Sequence, residues 1–148
     1  MEKPRSILKQ DISPFKQAAY VIAAIVVLNL LVFIGEKSGM NLGETIHWEI
    51  SLTLLLFFAL MNAVYFLNAE EKGKYWSYSI SSYIVVAAIS IFISNFMSGF
   101  GINDSGSLKW IYFIFSFCYL LFISIIGAMR RIVEIAIKQD EALRGEQK

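Results

Sequence analysis

Four stretches of this chain, residues 18–35, 50–68, 75–103 and 110–129, contain no Asp, Glu, Lys, Arg or His. A helix rises about 1.5 Å per residue, so each of them can cross a bilayer hydrocarbon core of about 30 Å, straight or with a modest tilt. Charges belong outside such segments, because one at the bilayer centre costs roughly 3 kcal/mol or more. With 57% hydrophobic and 17% charged residues, the 148-residue chain is more apolar than one soluble core can hide. No connection between stretches exceeds about 15 residues, which leaves no room between the spans for a separate soluble catalytic or nucleic-acid-binding domain.

The expected fold is therefore all-α: an integral membrane four-helix bundle with spans at 14–35, 47–67, 76–97 and 109–129. A polar segment, residues 1–13, precedes it, and a helix and tail, residues 130–148, follow. In the leading segment Ile7, Leu8, Ile12 and nearby Phe15 alternate with Lys3, Arg5, Lys9 and Lys16. That pattern suits either an amphipathic surface helix or a frayed tail. The apolar run that follows is too long for a signal-peptide core and lacks a small-residue cleavage site near Gly35, so it reads as an uncleaved first span.

Local signals mark the boundaries. Ser13-Pro14 is a helix start, since the serine oxygen caps an orphan amide and proline at the first position sacrifices no needed donor. Gly35 and Gly39 are expected to release that helix. Residues 68–74, polar and short, predict a turn that makes the second and third spans antiparallel neighbours. Trp48, Tyr75, Trp76 and Trp110 are expected at headgroup level as interface anchors, with Arg130 and Arg131 closing the fourth span.

Lys and Arg fall unevenly across the four spans. With the N-terminus inside, eleven of thirteen lie on the cytoplasmic side, and only Lys37 and Lys109 lie outside. This predicts both termini in the cytoplasm. The heavy use of Ile, Phe, Ser and Asn suits a bacterial inner membrane.

Several function classes lose their chemical basis. A net charge of +1 with mixed signs gives no footprint for nucleic acid. Lone Cys118 offers neither a disulfide nor a thiolate metal site. A proton-driven carrier needs a titratable group inside a span, and none is present. His47, beside Glu44 and Glu49, reads as an interfacial polar residue in preference to a metal ligand. With no nucleophile–base pair, phosphate loop or paired carboxylates, neither an enzyme nor a cofactor is expected.

What remains is packing and partners. Asn29 and Asn62 are costly to leave facing lipid and should face protein. In the third span Ser79, Tyr83, Ala87, Ser90, Ser94 and Ser98 recur every three or four residues, giving a small-residue stripe for close helix approach or, alternatively, a hydroxyl-lined solute path. Ala19/Ala23, Ala59/Ala63 and Ser124/Ala128 repeat that spacing. Seven aromatics from Trp110 to Phe122 surround the fourth span, so much of that surface should face lipid or another subunit. Beyond Arg131, the residues Ile132, Ile135, Gln139 and Leu143 share a helix face that either docks a cytoplasmic partner or packs on the chain's own inner loops. Gly39-Met40-Asn41 with Ile46-His47-Trp48 resembles Gly101-Ile102-Asn103 with Leu108-Lys109-Trp110 at an offset of 62 residues, a hint of two parallel hairpins or of convergent loop chemistry.

The function expected is thus a non-enzymatic membrane subunit or scaffold that assembles with itself or with a larger membrane complex. Its partners are membrane lipids and other membrane proteins. The alternative is a small oligomeric channel or carrier for a neutral or amphiphilic solute, and a lipid- or quinone-binding enzyme component comes third.

Overall fold

The computed structural model describes residues 13–68 and 72–146. It contains four helices: α1 (Pro14–Lys37), α2 (Ile46–Asn68), α3 (Lys72–Ser98) and α4 (Leu108–Glu146). No strand occurs among the described residues. All four helices are long and apolar enough to cross a membrane, which makes this an integral membrane protein by length and composition. The proposed amphipathic segment lies almost entirely outside the described residues.

α1 starts where the Ser13-Pro14 signal places it, with Ser13 Oγ accepting from the Lys16 amide at 3.4 Å. Its other end differs from expectation at Gly35. That residue is a buried helical position, not a terminator; a Cβ there would sit 2.7 Å from Met40 Cε, so the missing side chain seats the returning loop. Gly39, at φ +93°, makes the reversal that other residues resist. Thr45 opens α2, its carbonyl accepting from Trp48 and Glu49 and its hydroxyl bonding the Glu49 carboxylate at 2.7 Å. α3 begins at Lys72, earlier than the expected 76, because Gly73 and Lys74 continue the helix instead of ending the turn.

Helix directions follow from the cross-helix pairs. Asn29 with Ser51 and Gln17 with Asn62 set α1 antiparallel to α2. Phe58 stacks near Tyr83 and Phe66 near Tyr75, setting α2 antiparallel to α3. Tyr83 bonded to Ser116 and the Tyr119 hydroxyl meeting the Ser79 carbonyl set α3 antiparallel to α4. α1, α2 and α3 pack as a close trio, while α4 lies against α2 and α3 and has no approach to α1. The core is formed by Ile25, Leu55, Phe58, Phe66, Val86 and Ile123, all almost fully buried.

α4 runs unbroken for 39 residues. At 1.5 Å per residue that is about 58 Å, so roughly half of it extends past a hydrocarbon core of about 30 Å.

Candidate functional site

Two polar clusters sit inside the bundle. The first joins the end of α1, the start of α2 and the end of α3. Asn29, fully buried, donates from Nδ2 to its own helix at the Ile25 carbonyl (2.9 Å) and to Ser51 Oγ (3.1 Å). Those two bonds fix the amide's orientation, leaving Oδ1 to meet His47 Nδ1 at 2.8 Å, where the imidazole donates. His47 Nε2 lies 3.3 Å from Glu36 Oε2. Ser94 Oγ is 3.1 Å from the His47 carbonyl and 2.7 Å from Ser51 Oγ; with one hydroxyl proton each, Ser94 and Ser51 together satisfy both contacts.

The second cluster lies nearer the start of α1. Gln17 bonds both the Tyr75 hydroxyl (2.9 Å) and Asn62 (3.5 Å), and Asn62 Oδ1 accepts from the Tyr119 hydroxyl at 3.0 Å. One amide in α2 thereby ties α1 to α4. Between the clusters Tyr83 stacks on Tyr119 with centroids 4.2 Å apart and bonds Ser116 at 2.9 Å. The Tyr112 phenol lies against Ser90 and Ser94 without reaching bonding geometry to either, and the Ser79 and Ser82 hydroxyls likewise lack a partner among the described residues.

The third-span stripe faces this interior. Ser79, Ser90 and Ser94 are fully buried within the chain, Ala87 and Ser98 are half-buried, and Ser90 bonds back to the Ala87 carbonyl at 2.8 Å. Asn29 and Asn62 do face protein; they belong to different clusters and do not meet.

Several sequence expectations are corrected. Trp48 is no interface anchor: it is 0% exposed, donates from Nε1 to Ser98 Oγ at 3.0 Å and meets Tyr112 edge-on at 6.1 Å. Its counterpart at the 62-residue offset, Trp110, is 64% exposed, so matching sequence does not bring matching surroundings. His47 is buried and its carboxylate partner is Glu36, not Glu44 or Glu49, both of which are exposed. Tyr75 is half-buried in the second cluster. The fourth-span aromatics divide: Tyr112 and Tyr119 enter the core, while Trp110, Phe113, Phe117 and Phe122 stay exposed. Among the described residues no three His, Cys, Asp or Glu side chains group as a metal site.

Sequence reasoning missed Gln17, Glu36, Ser51, Tyr112 and Tyr119 as members of these clusters. A signal existed. Gln17, Val21, Ile25 and Asn29 repeat every four residues, and His47, Ser51, Leu55, Phe58, Asn62 and Phe66 repeat every three or four, each marking the buried face of its helix.

On the trailing half of α4, Ile132 (66% exposed), Ile135 (57%), Gln139 and Leu143 (64%) are all exposed. Trp76 and Arg131 are also exposed, whereas Arg130 is half-buried and donates to the Leu67 carbonyl. No protein-family model matches this chain, and no curated protein or solved structure is significantly similar to it.

Proposed function

We propose that this protein is a non-enzymatic membrane subunit that uses the trailing half of α4 to hold a protein partner. The observation that carries this reading is the exposed apolar row Ile132, Ile135 and Leu143 on helix that extends past the membrane thickness. Within a bilayer, exposed apolar residues are solvated by lipid; beyond it they face water and favour a partner. The Lys and Arg distribution puts that half, and both termini, on the cytoplasmic side of what we take to be a bacterial inner membrane.

Association with a second copy has its own surface. Ala19 and Ala23 on α1 are exposed, and their four-residue spacing lets two helix backbones approach closely. The Ser90 and Ser94 surface is already used inside the chain, so it supports the fold and not assembly. The same closure weighs against the channel alternative. Asn29, Asn62, Ser90 and Ser94 line neither the groove beside Trp76 and Arg131 nor the one beside Leu60 and Phe122, and their polar groups are bonded to neighbouring helices or to their own backbone.

The test is purification of the full chain from native membranes in mild detergent, with mass spectrometry of co-eluting proteins. A stoichiometric partner that disappears on replacing Ile132, Ile135 and Leu143 with Asp supports the reading. Retention of that partner by the triple variant, or a clean monomer from the start, overturns it. Orientation is checked by labelling single cysteines at Ser38, Gly73 and Asp104 in a Cys118→Ser background. Position 104 is preferred to Ser105, whose hydroxyl is buried against the Ile102 carbonyl at 2.6 Å.

A further inference from the structure

At the end of the bundle where α3 begins, a groove of about 530 Å³ opens between α3 and α4. Gly73 and Trp76 form one wall, Ser124, Gly127 and Arg131 the other, and Phe66 and Arg130 lie at its base. Arginines at the end of an apolar span ordinarily just anchor it at the headgroups. Here the arrangement goes further. Arg130 is fixed by the Leu67 carbonyl and by the Phe66 ring, 5.0 Å from its guanidinium carbon, while its Nη1 is buried with no acceptor among the described residues. A cation that is held in place and not fully satisfied suits an anion.

The opposite wall adds a donor. Trp76 packs on the bare backbone of Gly127, where a Cβ would lie 3.6 Å from Trp76 Cδ1 and 3.7 Å from Nε1. The indole N–H has no acceptor among the described residues, and neither does the Arg131 guanidinium. Small residues at 124, 127 and 128 hold the groove open. Among the described residues one carboxylate, Glu134, stands at its rim beside the two guanidinium groups.

The groove also continues into apolar surface. Arg131, Gly127, Ser124, Leu120, Phe117 and Phe113 succeed each other on α4 at steps of three and four residues, a single helix stripe that passes from charged to small to exposed apolar. Charge at the membrane boundary with apolar surface running inward matches an amphiphile better than a free ion. We propose that this groove binds the phosphodiester headgroup of an anionic phospholipid, with Arg131 and Trp76 Nε1 donating to the phosphate beside Arg130, and the acyl chains lying along Leu120 and Phe117. This rests on the membrane placement alone and is independent of the partner assigned to the trailing half of α4.

The full chain is reconstituted in nanodiscs of equal phosphatidylglycerol and phosphatidylcholine, and the lipids retained after ejection are counted by native mass spectrometry. Wild type should retain phosphatidylglycerol selectively. Arg131→Gln, which removes one cation, and Gly127→Leu, which fills the groove, should each cut that retention about fivefold. Trp76→Phe removes only the N–H donor and should lower it less, and Glu134→Gln should raise it. Unfolding midpoints of the variants separate lipid loss from misfolding. Equal retention of the two lipids, or undiminished phosphatidylglycerol on both Arg131→Gln and folded Gly127→Leu protein, overturns the proposal. So does full protection of lipid-free protein by inorganic phosphate, which would assign the site to the free ion.

Discussion

The α1–α2–α3 seam and the trailing half of α4 solve opposite problems. Inside the seam, Asn29, Ser51, His47 and Ser94 are polar groups removed from water, and neighbouring helices supply their partners within 3.1 Å. Along the trailing half of α4, Ile132, Ile135 and Leu143 are apolar groups left exposed, and nothing described in the chain covers them. The first arrangement is complete in one chain; the second is not. Polarity within a span therefore marks internal architecture here, and it is the apolar surface outside the span that points to another molecule.

The largest expected effect comes from breaking the seam. Asn29→Ala removes a fully buried amide, leaving His47 Nδ1 without its acceptor and Ser51 with Ser94 as its remaining partner, and should destabilise the fold by about 2 to 3 kcal/mol. Unfolding in a detergent titration, followed by circular dichroism, reads this directly. If stability is unchanged, the seam is not what holds α1 to α2. Asn62→Leu should cost somewhat less, about 1 to 2 kcal/mol, because the leucine partly refills the space while Gln17 and the Tyr119 hydroxyl lose their shared acceptor–donor.

A paired measurement sharpens the contrast between matching sequences in different surroundings. Trp48→Phe deletes the Nε1 bond to Ser98 and should cost about 1 kcal/mol, whereas Trp110→Phe should change stability by no more than about 0.5 kcal/mol. Equal losses would mean that the two tryptophans serve the same role after all, restoring the argument for paired hairpins. Smallest of all is the effect expected at the trailing half of α4: ending the chain after Arg131 should leave the unfolding midpoint of the bundle within error while removing any co-purifying protein. A marked fall in the midpoint would show that this half supports the fold, and the contrast would collapse.

Much of this was legible in the residues. The four charge-free stretches located all four helices, and Ser13-Pro14 placed the first boundary, because membrane transfer and capping are local properties of a short segment. The inward placement of Asn29 and Asn62 was also legible, since an amide facing lipid is costly whatever the fold. The partner of each was not. His47 stands two residues from Glu49 and three from Glu44 in sequence, yet the carboxylate it meets is Glu36 on the preceding helix, because residues two apart on a helix do not face each other, Glu44 precedes α2, and α1 brings Glu36 alongside.

The same division explains the aromatics. Tyr112 and Tyr119, seven residues apart, fall on the face that α2 and α3 cover, while Phe113 and Phe117 fall on the far side; sequence spacing groups them, but only the position of α4 says which group is buried. By itself the sequence determined how many helices there are, how apolar each is and which residues could not be left to lipid, since these follow from transfer free energies summed along a segment. Tertiary structure alone decided which faces meet, that Trp48 is core while Trp110 is surface, and that Arg130 is held beside a groove instead of reaching freely into the headgroups. Those outcomes depend on helix rotation and long-range approach, which no local run of residues specifies.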